Sequence, residues 1–306
     1  MDQTNQFSTS SVSIVILTMN RSMHMKTVLE NIAKQSLAPC EIIIVDNNSE
    51  SKEQKQNEKL AKEYKADYYL MNDNLGVSGG RNYGLKKAKG ETIIEIDDDA
   101  EFESVDAIKN AHEYLNSNKN IGIIAFAILK NKNMEFRREE FPFFNKSKQL
   151  NKPLTECAWF IGAGHAFRNE IFEKVNYYND FFPYGQEEID LSIRVKDSGY
   201  DIFYAKDIKV FHNKTDDARY IPPIEVAGLN LKNRIKVAML NLNIISILSF
   251  IFVRSSQFTI KYKTFKVVKI AYHLLKKDLN YIKSNRKVIS NNTYIELIKI
   301  NGPILF

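Results

Sequence analysis

Over its first hundred residues the chain alternates short apolar runs with longer amphipathic or polar stretches. Val12-Ser-Ile-Val-Ile-Leu17 is β-branched and continuous, as expected of a buried strand. Val28, Leu29, Ile32 and Ala33 give helical spacing to residues 24–35, and Pro39 closes that region. Glu41-Ile-Ile-Ile-Val-Asp46 is a second apolar run, ending in a carboxylate, and 53–65 reads as a polar helix. A third strand is predicted over 66–71, a helix opened by glycines over 78–89, and a fourth strand over 91–96. Strands and helices at this spacing predict right-handed βαβ units and a mainly parallel sheet, an α/β fold. Such sheets bind ligands at the carboxyl ends of their strands. Asp46, Asp97 and Asp99 all fall at such ends.

The middle of the chain is less regular. Residues 121–129 read as a strand, and the aromatic, charged stretch 134–151 as a loop or hairpin over the site. Residues 158–164 are apolar with glycines; 169–175 and 187–197 read as helices; 202–205 and 208–212 read as short strands. The body ends near Pro222-Pro223, which divides the chain into 1–225 and 226–306. The second part lacks a period-2 pattern and is rich in Leu, Ile, Lys and Asn, so helices are expected there. Its most apolar run, 244–253, falls short of the roughly 20 residues a bilayer span needs. A core helix, an interfacial segment or an oligomer contact is expected instead.

Composition adds limits. With 44% hydrophobic and 26% charged residues, the chain is of ordinary globular type. Two cysteines, Cys40 and Cys157, exclude a disulfide scaffold, and no Cys/His group has zinc spacing. The first eleven residues carry no basic stretch and the first apolar run is short, so no signal sequence and a reducing, cytoplasmic setting are expected. Charge is uneven. From Leu229 to Phe306, 14 Lys/Arg stand against Asp278 and Glu296, a net +12, which leaves −6 on residues 1–228 of the total +6. A basic surface attracts polyanions such as anionic lipid or nucleic acid, or is simply a solvated helical face.

Several residues carry chemistry. Alternate residues at a strand end point the same way, so Asp97 and Asp99 can converge on one cation. Mg²⁺ and Mn²⁺ favour such oxygen ligands and are typically shared with phosphates, whereas three aspartates alone also suit a solvated turn. Gly76-Val-Ser-Gly-Gly-Arg-Asn-Tyr-Gly84 has neither dinucleotide nor P-loop spacing. Its glycines permit close approach, and Arg81 can face a phosphate or a carboxylate. Glu187, Glu188 and Asp190 open a helix, where they suit its dipole or supply a general base. His212 ends a strand, a place where a lone histidine is more often structural. Trp159, the single tryptophan, is core or a flat face for a sugar ring.

Taken in order, these pieces resemble the family 2 glycosyltransferases. Val12-Ser-Ile-Val-Ile-Leu-Thr-Met-Asn-Arg21, Ile42-Ile-Ile-Val-Asp-Asn-Asn-Ser49 and Asn74-Leu-Gly-Val-Ser-Gly-Gly-Arg-Asn82 are similar to the family's opening strand, second strand and third-helix loop. Asp97-Asp-Asp99 matches its D-x-D motif, Gly162-Ala-Gly-His-Ala-Phe-Arg168 an acceptor-side segment, and Glu187-Glu-Ile-Asp-Leu-Ser-Ile-Arg194 with His212 the catalytic helix and terminal histidine. The resemblance covers about residues 12–213. It departs from the common Glu-Asp pair, having Glu187-Glu188, so that Glu187, Glu188 and Asp190 all stay candidates, with Glu188 matching by position.

The resemblance implies a GT-A-type nucleotide-sugar fold and an inverting, metal-dependent transfer from a nucleotide-diphosphate sugar. The implied acceptor is a glycan or lipid-linked molecule, within cell-envelope polysaccharide synthesis. Asp46 would contact the base, with Thr18, Asn20, Arg21, Arg81, Asp97 and Asp98 on the donor side. Asp97, Asp99 and His212 would hold Mn²⁺ or Mg²⁺, Glu188 would be the base, and Trp159, Gly164, His165 and Glu187 would line the acceptor side. The basic tail would dock the inner face of the cell membrane or join an oligomer; nucleic acid is not an expected partner. Two alternatives stay open. A nucleotidyltransferase of related fold would want glycine after the first strand, which Thr18-Met-Asn-Arg-Ser22 lacks. A non-catalytic sugar-binding or scaffold protein would not need the carboxylates that are present.

Overall fold

The computed structural model describes residues 11–130, 135, 140–143, 152–182, 185–213, 223–300 and 302. Most of the stretch expected to cover the site, 134–151, lies outside them. Strands β1 (Val12–Thr18), β2 (Glu41–Asp46), β3 (Asp67–Leu70) and β4 (Thr92–Asp97) form the predicted parallel block. Helices α1 (Ser22–Ile32), α2 (Ser51–Glu63) and α3 (Gly76–Lys87) make the crossovers.

The chain continues through β5 (Ala100–Phe102), α4 (Ala107–Ser117), β6 (Ile121–Leu129), β7 (Leu154–Glu156), β8 (Gly164–Arg168), α5 (Ile171–Val175), α6 (Glu187–Asp197) and β9 (Asp201–His212). The nine-stranded sheet runs β3-β2-β1-β4-β8-β6-β9-β5, with β7 also on β9. It is mixed, because β8 inserts antiparallel between β4 and β6, and β5 and β7 pair antiparallel with β9. The two short strands expected over 202–212 are one strand. Its pairing jumps from Phe126 opposite Ala205 to Ala127 opposite Lys209, and this bulge produces the apparent break.

Hydrophobic clusters fill both faces of the sheet. Ile14, Ile16, Ile94 and Phe126 lie in one; Val15, Ile43, Ile93 and Phe167 lie in the other. The glycines of α3 serve this packing. A Cβ on Gly84 would stand 2.5 Å from Val15 Cγ1, and one on Gly80 would stand 2.4 Å from Leu17 Cδ1. Gly84→Ala therefore pushes α3 off β1, and about 1–3 kcal/mol of lost stability is expected from overpacking. A urea midpoint equal to the parent's would refute this.

The remainder is helical: α7 (Pro223–Asn241), α8 (Ile244–Tyr262), α9 (Lys266–Asn285) and α10 (Asn291–Lys299). These helices share a third cluster with Ala158, Phe182 and Ile193 of the α/β body. Buried Lys232 and Lys236 of α7 reach Asp278 of α9 at 2.6 and 2.9 Å. The length argument made for 244–253 does not hold. The helix runs on through Arg254 to Tyr262, 19 residues at mean hydropathy 1.3, long and apolar enough by length and composition to cross a membrane. Ile247, Phe250 and Arg254 pack inward, while Ile244, Ile245, Leu248 and Phe252 are 63–77% exposed.

Candidate active site

Pairing of β5 with β9 sets Ala100 opposite His212, and so brings the end of β9 beside the aspartates that end β4. His212 Nε2 lies 3.2 Å from Asp99 Oδ1 and 3.8 Å from Asp97 Oδ2. The other oxygen of each carboxylate is taken by a guanidinium: Arg81 Nη2 at 2.7 Å from Asp97 Oδ1, Arg21 Nη1 at 2.8 Å from Asp99 Oδ2. His212 Nδ1 lies 2.7 Å from Glu140 Oε1, which fixes the ring with Nε2 towards the aspartates. One ligand atom each from Asp97, Asp99 and His212 lie within 4.8 Å of one another. Two carboxylates and an imidazole backed by a carboxylate suit a hard divalent cation. Burial lowers the pKa of His212, but its bonds to Asp99 and Glu140 outweigh this and push it up to about 9. Protonated, the ring would balance the carboxylates in place of a cation, and it would give up that proton to ligate one.

Asp98 points the other way. It accepts from Thr18 Oγ1 at 2.7 Å and lies 3.2 Å from Arg21 Nη1. Burial pushes its carboxyl up to about 7.

The base candidates sit on the first turn of α6. Gly185 and Gln186 both have positive φ, +82° and +76°, which turns the chain sharply into the helix. Glu188 Oε1 lies 3.9 Å from Arg81 Nη1, and its side chain is 22% exposed. A Cβ on Gly162 would fall 2.4 Å from that oxygen and 2.8 Å from Arg81 Nη1, so a side chain there would displace the tips of both. Asp190 is buried against Arg194 at 2.9 Å and Asn241 at 3.3 Å, committed to structure. Glu187 is 3% exposed, with Oε2 unpaired. Burial, then the neighbouring charge of Glu188, push Glu187 up to about 8. Burial raises Glu188 too, against the pull of Arg81.

The shift at Glu187 has a consequence for stability. Above the unfolded value near 4.5 the unfolded chain gives up a proton that the folded chain keeps. The group therefore costs stability, increasingly from about pH 4.5 to 8. Glu187→Gln should melt higher than the parent at pH 8, by on the order of 3 °C, and nearly level with it at pH 5. A pH-independent difference would contradict this.

Arg81 is held from behind. Its Nη2 also donates to Gly162 O at 2.9 Å, and its guanidinium stands 5.8 Å from the Tyr178 ring. Asn82 clamps the backbone of Tyr178 on both sides, at 2.8 and 2.9 Å. Tyr178 OH donates to Glu95 Oε2 at 2.6 Å, and His165 Nε2 lies 2.9 Å from the same oxygen. Burial would raise Glu95, but the bond to His165 and the charge of Arg81 hold it below the usual range. Sequence reasoning missed Glu95, Glu140 and Tyr178. Glu95 did carry a signal, as the one charged residue inside Thr-Ile-Ile-Glu-Ile, residues 92–96.

Asp46, Gly164 and His165 are enclosed in the fold where donor or acceptor contacts were expected. Asp46 is 0% exposed and accepts from Ser49 N, Asn57 Nδ2 and Tyr68 OH at 2.8, 2.9 and 2.7 Å. It ties β2 to α2 and β3 and offers a base no free face. His165, also 0% exposed, and Gly164 lie inside β8, enclosed between β4 and β6 rather than on an acceptor surface. Trp159 is half-buried, with part of its surface packed against the helical cluster. Asn20, exposed with φ +59°, and Arg21 flank the site after β1.

Comparisons with known proteins bear on the family and the fold. An uncharacterized protein of Haemophilus influenzae is 28% identical over 178 residues, 57% of this chain and 96% of its own. The GalNAc(5)-diNAcBac-PP-undecaprenol β-1,3-glucosyltransferase of Campylobacter jejuni is 32% identical over 93 residues, 30% of each chain. The minor teichoic acid biosynthesis protein GgaB of Bacillus subtilis is 31% identical over 179 residues, 53% of this chain but only 19% of its own. Among solved structures, the mannosyltransferase PcManGT of Pyrobaculum calidifontis, in complex with GDP-Man and Mn²⁺, superposes with a TM-score of 0.58 at 16% identity, over 94% of this chain and 79% of that one. TarS of S. aureus gives 0.59 at 17% identity, over 81% and 72%. These two show a shared GT-A-type fold. The profile of glycosyl transferase family 2 matches residues 13–175, more than half of the chain, and the chain belongs to that family.

Proposed function

We propose an inverting, divalent-cation-dependent transfer of a hexosyl group from a nucleotide-diphosphate sugar to a hydroxyl of a glycan or lipid-linked acceptor in the cell envelope. The observation that carries it is the joint placement of Asp97, Asp99 and His212 on one side of Arg81 and Glu188 on the other. Asp97, Asp99 and His212 would hold Mn²⁺ or Mg²⁺, which would neutralise charge on the leaving diphosphate. Arg21 and Arg81 orient the two aspartates and add positive charge on the donor side. Thr18 holds Asp98, and Asp46 shapes the nucleotide side from beneath. Glu188, raised by burial, accepts the proton of the attacking hydroxyl. Attack from the face opposite the leaving group inverts the anomeric centre. Glu187 and Trp159 line the acceptor side.

The relatives support an envelope acceptor, since their names include an undecaprenol-linked substrate and teichoic acid. On this reading residues 226–306 form a helical extension that rests on the cytoplasmic face of the membrane. The exposed Ile244, Ile245, Leu248 and Phe252 enter the interface, and Lys261, Lys263 and Lys266 meet anionic head groups. Flotation with anionic liposomes should be lost in high salt; no flotation at low salt would sink the docking reading. The function itself is tested by screening nucleotide-sugars for hydrolysis with and without Mn²⁺. One donor class should be cleaved, only with metal. Metal-independent cleavage, or none, would overturn the reading.

A further inference from the structure

The helical region reaches α6, the helix that carries Glu188, through side chains at both of its ends. Asn233 of α7 is 1% exposed, and its Nδ2 donates to Gly185 O at 3.0 Å. About two turns on, and on the same face of α7, Asn241 Nδ2 donates to Asp190 Oδ1 at 3.3 Å. At the far end, Asp197, the last residue of α6, accepts through Oδ1 from Ser290 N and Thr293 Oγ1 at 2.8 and 2.9 Å, where α10 begins. The segment that leads into α6 is tied down as well. Tyr281 OH of α9 donates to Asn179 Oδ1 at 2.9 Å, and Lys236 Nζ donates to Phe181 O.

The turn at 185–186 is the part that needs such support. Gly185 takes its φ of +82° freely, but Gln186 carries a Cβ at φ +76°, where side chains are crowded. Backbone of this kind persists only where its surroundings hold it. Gln186 also stands at the cap position of α6, and its side chain makes no capping bond among the described residues. The entry angle of the helix is therefore not fixed by a local cap, and α7 grips the turn by the Gly185 carbonyl instead. That angle decides where Glu188 points. Its Oε1 is 3.9 Å from Arg81 Nη1 and lies close over Gly162, so a small rotation of α6 would separate it from Arg81.

We propose that Asn233 is a positioning residue for the transfer: by holding the 185–186 turn it sets Glu188 against Arg81. The inference rests on Glu188 as the base. It gives α7 a part in catalysis that is separate from any contact of α8 with a membrane. Displacement of a reacting group by about 1 Å can cost on the order of 10²-fold in rate, so a single anchor at the start of α6 has leverage.

The test uses the full chain with Asn233→Ala and, in case alanine does not fold, Asn233→Leu, which keeps nearly the same volume without the donor. The probe is the nucleotide-sugar selected by the hydrolysis screen, with Mn²⁺ and with water in the acceptor's place. In the variant, kcat should fall roughly tenfold or more, while KM and the affinity for the nucleoside diphosphate stay within about twofold of the parent's. Adding Gln186→Gly to Asn233→Ala should recover roughly threefold or more of the lost kcat, because glycine takes the left-handed conformation without steric cost. Hydrogen exchange, which needs no donor, should quicken over 185–190 and keep the parent's rate over α9. An unchanged kcat, an equal loss of nucleotide affinity, no recovery in the double variant, or unchanged exchange over 185–190 would each overturn the proposal. Glu188→Gln, assayed alongside, keeps the two readings apart. If it hydrolyses donor as the parent does, the base is misplaced; if it is dead while Asn233→Ala is fully active, only the positioning role fails.

Discussion

Glu188→Gln should lower turnover by roughly 10²-fold or more while leaving affinity for the nucleoside diphosphate close to the parent's. The amide keeps the shape beside Arg81 and Gly162 but takes no proton from an acceptor hydroxyl. Steady-state rates with the donor found by screening, together with calorimetry, check both halves. An active Glu188→Gln with a dead Glu187→Gln would move the base by one residue. The pH profile gives a second check. Burial raises Glu188 above the ordinary carboxylate range, so the protonated, inactive form persists to higher pH than for an exposed glutamate. In kcat/KM the acid limb should therefore sit above that range and vanish in the glutamine variant.

Chelation should abolish transfer, and Asp99→Asn should lower it by roughly 10²–10³-fold, the loss of several kcal/mol of charge stabilisation. Asp99 does two things at once. It offers Oδ1 towards the point shared with Asp97 and His212, and it binds Arg21 through Oδ2. The amide weakens both contacts. Arg21 then keeps only Asp98 at 3.2 Å, so the donor side loosens as well. Full activity in excess chelator, or an Asp99→Asn enzyme that responds to Mn²⁺ as the parent does, would refute the assignment.

The parallel half of the fold and the aspartate cluster were legible in the sequence because both are local signals. β1, β2 and β4 are β-branched runs, and Asp97-Asp98-Asp99 follows one of them directly. What stayed hidden depends on contacts distant in sequence. β8 is buried at Gly164, His165, Ala166 and Phe167 alike, so it shows no alternation, and its place between β4 and β6 is a property of the assembled sheet. Asp46 and Asp97 look equivalent in sequence, each closing an apolar run. Asp46 is enclosed by Asn57 of α2 and Tyr68 of β3, whereas Asp97 remains open beside His212. The glycines of α3 read as room for close backbone approach, and Gly80 and Gly84 use it for packing on β1. Charge counting found the basic tail but not that Lys232 and Lys236 are buried against Asp278 or that Arg254 is buried in α8.

The measurement that tests the central claim most directly is the affinity of UDP and GDP for the parent and Asp99→Asn, each with Mn²⁺ and with EDTA. The account predicts that one nucleotide binds the parent at least about tenfold more tightly with Mn²⁺, and that Asp99→Asn largely loses this difference. Equal affinity with Mn²⁺ and EDTA in the parent, or an undiminished Mn²⁺ effect in Asp99→Asn, would contradict it.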